Sequence, residues 1–343
     1  MKKPSLIHKA LFVLNVLFIV GLFFSFILPY LPPKKFGLIS LLSLIVPVLI
    51  FGSILFLLYW ILIRHKKRLY LNAFILILSF FFIPSLYKLN GSSETTENEL
   101  SIMSYNVRKF NKYGWIKGEN IGSKIGAFVT EESPDVLAMQ EYKKDKNLKL
   151  KYPYEYIHRS YNWNKALSYP SGLAFFSKYP IIDTGAVKYK KVFTSIAYID
   201  ILKNYDTIRI YNCHLESLGV IPSKDYFGHK DSEKLLKRLN SSFKIQQTEI
   251  DTLNHHIKNS KYRTIIAGDM NNTAYSWAYK NLKKDRQDSF LEAGKGFGRT
   301  YSLKGLPLRI DYIFVDEDIS VDGHENYDVK YSDHFPVMAT VSF

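Results

Sequence analysis

The chain has 343 residues, of which 47% are hydrophobic and 15% aromatic, and this apolar content excludes an intrinsically disordered protein. Its single cysteine, Cys213, excludes an intrachain disulfide and a cysteine-rich zinc module. The formal charge of +15 is unevenly spread, because residues 1–90 hold ten Lys and Arg and no acidic residue. The remaining residues hold 36 basic and 31 acidic side chains, a net charge of +5. We therefore predict a membrane part at 1–89, a linker at 90–98 and a soluble domain at 99–343.

Three apolar stretches fill the N-terminal part. About 20 apolar residues span a hydrocarbon core, so we predict three transmembrane helices at about residues 10–31, 36–63 and 69–87. The third is shorter and is broken by Asn72 and Pro84. A cleavable signal peptide is the alternative for the first stretch, but the stretch is too long and no small-residue cleavage site precedes a soluble segment.

Positive charges in the loops predict the orientation in the bilayer. The N-terminus and the loop at 64–68 share one side of the membrane and carry most of the Lys and Arg of this part. The positive-inside rule then places the N-terminus in the cytoplasm and the soluble domain on the non-cytoplasmic face. The chain is thus predicted to be an integral membrane protein, of the inner membrane if it is bacterial, with residues 10–87 in the lipid bilayer.

From residue 99 the pattern changes to short apolar runs separated by polar loops. Two helices are predicted, at 121–132 and at 232–259, and the apolar residues of the second fall on one helical face. The predicted strands cover residues 100–105, 135–140, 172–177, 196–202, 207–212, 264–267, 310–315 and 337–343. Because strands outnumber helices, a core of two sheets with helices outside is favoured over a doubly wound single sheet.

Polar residues that can bind a metal or a phosphate stand at the ends of several predicted strands. Each of them alone is explained by capping of a turn or by solvation at a strand end. Buried carboxylates, however, require partners, because burial without one raises the pKa or costs several kcal/mol. The polar residues at these strand ends are Asn106, Glu141, His214, Asp269 and Asn271. Together with the run Ser332-Asp333-His334, they predict one site.

Seven motifs in chain order carry a family resemblance: SYNVRKF (104–110), DVLAMQEY (135–142), SGLAFFSKYPI (171–181), YNCHLES (211–217), AGDMNN (267–272), LRIDYIFV (308–315) and SDHFPV (332–337). In this order they resemble the endonuclease/exonuclease/phosphatase superfamily, which includes exonuclease III-type nucleases, DNase I, neutral sphingomyelinases and inositol polyphosphate phosphatases. The resemblance covers residues 99–343. It implies a DNase I-like α/β four-layer sandwich, in which two packed mixed β-sheets are flanked by helices and the site lies at one edge.

The resemblance also implies a metal site. Glu141 is the implied principal ligand, Asn106 lies beside the metal, and Asp333 is the second candidate ligand. Oxygen ligands favour Mg²⁺, with Mn²⁺ as a substitute, over zinc. The cation would polarise a phosphoryl oxygen and stabilise the charge that develops during attack.

The remaining implied roles are catalytic. Asp269 orients or deprotonates the attacking water, and Asn271 holds that water or the phosphate. His334 contacts the phosphate, with its tautomer or charge fixed by Asp311, and His214 stabilises a phosphate oxygen or assists the leaving group. The resemblance leaves open whether the Asp or a His is the general base.

These observations predict a membrane-anchored, divalent-metal-dependent phosphodiesterase with nucleic acid as the leading substrate. Tyr161, Trp163 and Tyr169 would form a stacking platform for bases, with packing at a domain edge as the alternative. A sphingomyelinase-like phospholipid hydrolase or an inositol or sugar phosphate hydrolase is the second hypothesis, although the soluble domain has no long apolar hairpin that would enter lipid. A non-enzymatic membrane module is disfavoured because every motif residue is present. No protein partner is inferable.

Overall fold

The structure is a computed structural model. The predicted linker 90–98, apart from Gly91, and the predicted platform residues Tyr161, Trp163 and Tyr169 lie outside the described residues. The described residues are 6–82, 84–89, 91, 99–117, 120–159, 171–188, 195–219, 229–303 and 306–343.

The N-terminal part forms four helices: α1 (Leu6–Ser25), α2 (Pro33–Ser40), α3 (Val46–Leu62) and α4 (Lys66–Phe82). By length and composition, two apolar helical segments could cross a membrane, Leu6–Tyr30 and Pro33–Leu62. The predicted span 36–63 is interrupted by a 3-10 turn at Leu41–Ile45, and α3 then begins with a proline in its first turn. Proline is tolerated there because the first amides of a helix have no intrahelical acceptor. The third predicted span contains most of α4, which has 17 residues.

A buried group of polar side chains joins three of these helices. The amides of Asn15 in α1 and Asn72 in α4 hydrogen-bond to each other in both directions, at 2.8 and 2.9 Å. The indole nitrogen of Trp60 in α3 donates to the Asn15 oxygen at 2.8 Å. Because these buried polar groups have few other partners among the surrounding apolar side chains, the hydrogen bonds favour one packing of α1, α3 and α4.

The soluble part contains two six-stranded sheets. The first has the order β13-β14-β1-β2-β4-β3 and the second the order β5-β6-β7-β8-β12-β9. Each is mixed, because β1 pairs with β2 and β7 with β8 in parallel and the other pairs are antiparallel. The strands are β1 (Leu100–Asn106), β2 (Val136–Tyr142), β3 (Tyr154–Arg159), β4 (Gly172–Ser177), β5 (Ile181–Ala186), β6 (Ile196–Lys203), β7 (Asp206–His214), β8 (Arg263–Asp269), β9 (Arg286–Asp288), β10 (Tyr301–Leu303), β11 (Leu306–Leu308), β12 (Asp311–Asp316), β13 (Ser320–Asn326) and β14 (Val337–Ser342), of which β10 and β11 form a separate hairpin.

Helices cover the outer faces of both sheets, which makes four layers. The helices are α5 (Ile121–Glu132), α6 (His229–Lys258), α7 (Trp277–Lys283) and α8 (Ser289–Ala293). In β1 the alternation of side chains sends Leu100 and Ile102 into the core between the sheets and Met103 and Tyr105 into the layer below α5. The second sheet packs its outer face against α6 and α7. The predicted two-sheet, helix-flanked fold is confirmed.

The segment 28–45 between α1 and α3 packs against the soluble part. We call it the anchor loop, although it includes the short helix α2. The backbone amide of Lys34 donates to Gln247 of α6 at 2.8 Å, and its ammonium group lies 3.2 Å from Asp251. The hydroxyl of Thr273 donates to the Ser43 carbonyl at 3.1 Å. The N-terminal helices are therefore docked on the soluble part through the anchor loop, in addition to the covalent connection.

Apolar contacts accompany this docking. Leu41 of the anchor loop is buried together with Leu239 and Phe243 of α6. The ring of Tyr275, just before α7, is buried among residues of the helical bundle, Leu22, Leu28, Val46 and Ile75. The C-terminal end of α1, the N-terminal end of α3 and the second half of α4 therefore lie on the side of the bundle that faces the soluble part.

Candidate active site

The predicted site residues come together because of strand direction. Parallel strands β1 and β2 end at Asn106 and beside Glu141, and parallel strands β7 and β8 end at His214 and Asp269. Strand β12 runs antiparallel to β8 and begins where β8 ends, with Asp311 opposite Asp269. One edge of the two-sheet sandwich, formed by strand ends of both sheets, therefore collects side chains that lie far apart in sequence.

A cavity of about 730 Å³ opens at this edge. Among the residues that line it are six of the eight predicted site residues: Glu141, His214, Asp269, Asn271, Asp333 and His334. The other two, Asn106 and Asp311, are buried directly behind its wall and hydrogen-bond to Asp269 and His334, respectively.

Asp269 lies at the centre of the polar cluster and is fully buried. Its Oδ2 atom accepts a hydrogen bond from the Asn106 amide at 3.1 Å, and its Oδ1 atom accepts one from the backbone N–H of Asn271 at 2.8 Å. The Nε2 atoms of His334 and His214 lie 3.6 and 3.7 Å from Oδ2. The carboxylate is thus fixed in position and faces two imidazoles.

His334 and Asp311 form a buried pair beside this carboxylate. The His334 Nδ1 atom lies 3.0 Å from Asp311 Oδ2, so Asp311 holds the proton on Nδ1 and directs Nε2 toward Asp269. Burial raises the pKa of Asp311 to about 6. Burial alone would lower the pKa of His334, but the Asp311 and Asp269 carboxylates outweigh it and raise that pKa to about 10. His334 is therefore an imidazolium at neutral pH.

Glu141 and Asp333 are half-buried and each faces a cation. The ammonium group of Lys109 lies 3.8 Å from Glu141 Oε2, and the guanidinium of Arg108 lies 2.7 Å from Asp333 Oδ2. The guanidinium also lies 3.9 Å over the ring of Trp115. Positive charge is thus placed at the mouth of the cavity.

A left-handed turn positions these two cations, and sequence reasoning missed it. Residues 108–111 all have positive φ, from 41° to 57°, although none is a glycine. This conformation costs about 1–2 kcal/mol for each such residue. Burial of Phe110 against Tyr142 compensates for part of that cost. Arg108 and Lys109 stand in the motif at 104–110, but no residue there signals a left-handed turn.

A buried amide network behind the site was also missed. The Gln140 amide donates to the Asn212 oxygen at 2.7 Å and to the Ser104 hydroxyl at 3.1 Å. The Asn212 amide donates to the carbonyls of Met139 and Ala174 in the opposite sheet. These bonds fix the two sheets relative to each other next to Glu141. The sequence signal for this network was the presence of polar residues such as Gln140 and Asn212 inside otherwise apolar strands.

Gly268 permits the close approach of the two strands that carry His214 and Asp269. Its φ is +146°, and a Cβ atom built on it would lie 2.0 Å from the carbonyl oxygen of Cys213. Only glycine therefore fits between β7 and β8 at this point.

Two groups of residues are candidates for holding a metal ion. Ligand atoms of Asp269, Asp311 and His334 lie within 4.8 Å of one another. Without a cation the two carboxylates favour the protonated form of His334, and a metal-binding imidazole must be neutral. The carboxylates of Glu141 and Asp333 are the second candidate pair, because both line the cavity. An all-oxygen set of this kind suits Mg²⁺ or Mn²⁺.

Comparison with protein families gives two matches. The model described as the Endonuclease/Exonuclease/phosphatase family matches residues 103–334, and a domain of unknown function (DUF8431) matches residues 8–86. Comparison with curated proteins gives no significant match.

Many solved structures share the fold of the soluble part. An endonuclease/exonuclease/phosphatase from Bacteroides vulgatus is similar with a TM-score of 0.54 and 16% identity over 72% of this chain and 100% of that one. A humanized D. rerio TDP2 is similar with a TM-score of 0.53 and 15% identity over the same shares. An endonuclease/exonuclease/phosphatase from Beutenbergia cavernae is similar with a TM-score of 0.51 and 14% identity over 72% of each chain. With about two thirds of its length matched by the family model, the chain belongs to the endonuclease/exonuclease/phosphatase family.

Proposed function

We propose that the protein is a membrane-anchored, divalent-metal-dependent hydrolase that cleaves a phosphodiester by attack of water on phosphorus. One observation carries this proposal: a single cavity collects the fixed carboxylate of Asp269, the imidazolium of His334 and the carboxylates of Glu141 and Asp333. Such a set can hold a cation, an attacking water and a phosphate oxygen at one place.

Each side chain has a proposed role. Glu141 and Asp333, together with Asn106, would hold a divalent cation such as Mg²⁺, which would supply positive charge to a phosphoryl oxygen. His334 donates from Nε2 to a second phosphoryl oxygen. Because His334 is already protonated, we assign the general base to Asp269, which accepts the proton of the attacking water as the bond from phosphorus to the leaving oxygen breaks.

Two neighbouring polar residues support these steps. The Asn271 side chain donates to the carbonyl of Leu215 at 2.9 Å, which places its amide at the cavity wall, where we assign it to the attacking water or the phosphate. His214 lies on the other side of Asp269 and stabilises a phosphate oxygen or the leaving group.

The full-length protein, purified in lipid nanodiscs, tests the proposal with bis-p-nitrophenyl phosphate as substrate. We expect hydrolysis with Mg²⁺ or Mn²⁺, its loss with EDTA, and a fall in kcat of at least roughly 100-fold in Glu141→Gln and in Asp269→Asn. Glu131→Gln, at an exposed position of α5, is the matched control and should match the wild type. Hydrolysis at the wild-type rate in both active-site variants would refute the proposal.

Two substrate classes suit this site. The guanidinium of Arg108 over Trp115, and the Lys109 ammonium 5.6 Å from the Tyr113 ring centre, favour nucleic acid, since cations with aromatic rings bind single strands. The apolar residues on the opposite wall of the cavity favour a phosphoester with an apolar chain. A labelled single-stranded DNA oligonucleotide, offered with phospholipid and inositol phosphate substrates, separates the classes.

We also propose that the active site faces the non-cytoplasmic side, because the N-terminus and the loop at 64–68 carry most of the positive charge of the membrane part. Ser93→Cys in intact cells should react with a membrane-impermeant maleimide. Reaction only after the inner membrane is broken would reverse the orientation.

A further inference from the structure

We propose that the N-terminal helices form part of the substrate-binding site, and that the substrate is an amphiphilic phosphoester whose apolar chain lies against α3. This inference rests on the proposed function and names the substrate class of the same site. Neither family match assigns a role in binding to residues of the helices.

The cavity has two chemically different walls. Its polar wall is the cluster around Asp269 described above. Its apolar wall is shared between the soluble part, which supplies Leu218, Leu308 and Ile310, and the N-terminal part, which supplies side chains of the anchor loop, of α3 and of the segment after α4. The N-terminal side chains are Leu44, Pro47, Val48, Phe51 and Leu86.

Three of the N-terminal side chains, Pro47, Val48 and Phe51, form one face of α3, because Phe51 follows the other two at the i+4 and i+3 positions. Leu44 lies in the 3-10 turn just before this helix. The opposite side of α3 packs within the bundle, where Val46, Ser53, Phe56 and Trp60 are buried. Helix α3 thus has one face for the bundle and one for the cavity.

The cavity face of α3 leaves large apolar side chains uncovered. Phe51 is 61% exposed and Val48 is 44% exposed. Phe297, which lines the same cavity and packs its ring on Tyr87 at 4.8 Å, is 51% exposed. Exposed apolar surface that is continuous with a polar reaction site is expected where a ligand covers it.

The position of this wall indicates what covers it. Pro47 and Phe51 belong to the apolar segment Pro33–Leu62, which is long enough to cross a bilayer, and they are about 6 Å apart along the helix axis. Beyond them Leu55 and Leu58 remain exposed. An alkyl chain could therefore stay in apolar surroundings from the bilayer to the reaction site.

The charges at the other end of the cavity fit the head of the same molecule. Arg108 and Lys109 line the cavity, and their positive charges attract a phosphate group. A phosphate group joined to an apolar chain matches both walls. A nucleic acid matches only the polar wall and leaves Val48 and Phe51 in water.

A series of alkyl p-nitrophenyl phosphates with methyl, butyl and octyl chains tests the inference on the full-length protein in nanodiscs. Each methylene group removed from water contributes roughly 0.8 kcal/mol, about fourfold in kcat/KM. We expect kcat/KM to rise at least tenfold from the methyl to the octyl ester. Phe51→Ser and Val48→Ser should each lower the octyl-to-methyl ratio at least threefold. Val13→Ser, at a 60% exposed position of α1 outside the cavity, is the matched control and should leave the ratio unchanged.

The outcomes separate this inference from the proposed function. Absence of hydrolysis of all three esters and of bis-p-nitrophenyl phosphate overturns both. Hydrolysis with no dependence on chain length, or an unchanged ratio in both wall variants, overturns the inference alone. Preferred cleavage of a single-stranded DNA oligonucleotide over the octyl ester also overturns the inference and selects nucleic acid. The inference is supported if kcat/KM rises with chain length and if Phe51→Ser and Val48→Ser reduce this rise whereas Val13→Ser does not.

Discussion

Replacing Gly268 by alanine should damage both stability and catalysis, because this glycine lies where β7 and β8 carry His214 and Asp269. The new Cβ atom would start 2.0 Å from the Cys213 carbonyl oxygen, so the strands must separate by about 1 Å to reach even a tight contact. The φ of +146° adds about 1–3 kcal/mol of strain, and overpacking a further 1–3 kcal/mol. We therefore expect a loss of about 2–6 kcal/mol in the free energy of unfolding.

The catalytic effect of the same change follows from geometry. A displacement of about 1 Å between reacting groups lowers a rate on the order of 100-fold. Thermal unfolding and hydrolysis of bis-p-nitrophenyl phosphate would measure the two effects on the full-length protein in nanodiscs. Gly323→Ala is the matched control, because its Cβ atom would meet Thr340 at an ordinary 3.6 Å. If Gly268→Ala unfolds and reacts like Gly323→Ala, the reasoning about this strand pair is wrong.

Three further predictions concern buried polar groups. Burial lowers the pKa of His324 to about 4, below its value of about 6.5 in the unfolded chain, so about 3 kcal/mol of stability should be lost as the pH falls from 6.5 to 4. In His324→Gln the unfolding temperature should fall less over that range, and an unchanged slope would contradict the assignment. Asn15→Leu leaves Asn72 and Trp60 without their partner and should destabilise the helical bundle by about 1–2 kcal/mol in denaturant unfolding; an unaltered midpoint would count against it. Burial raises the pKa of the Cys213 thiol, so iodoacetamide at pH 8 should label the unfolded chain but not the native protein, and rapid native labelling would disprove its burial.

Strands in the core were predictable from sequence because their apolar pattern reports burial directly. The predicted strand at 172–177 coincides with β4, and the one at 207–212 lies within β7. The polar strands β5 and β13 were not predicted. Residues 182–184 of β5 are exposed, and both strands lie at sheet edges, where pairing with a neighbour rather than side-chain burial defines the strand.

The candidate site was predictable as a set of residues, and its surroundings were not. Asn106, Glu141, His214 and Asp269 each stand at the end of an apolar run, which a sequence displays directly. The ion pairs of Glu141 with Lys109 and of Asp333 with Arg108 depend on tertiary contacts, which the sequence does not display. The roles assigned to these residues stay predictions until the variants are measured.

The apolar surface beside the site could not be predicted from the sequence, for a different reason. The sequence offered no apolar hairpin within the soluble part, and this absence argued against a lipid substrate. In the structure the apolar surface beside the site comes from Val48 and Phe51, about 220 residues before Asp269 in the chain. Contacts over such a separation leave no periodic pattern.

Docking of the anchor loop has a mechanical consequence. Lys34 and Leu41 fasten the soluble part to the same helices whose residues Val48 and Phe51 border the reaction cleft. In the proposed membrane-anchored state, a thinner or thicker bilayer would tilt these helices, and the tilt would change the width of the cleft, whereas a freely tethered enzyme would only move up or down. Turnover in this protein should therefore vary with the acyl length of the surrounding lipids.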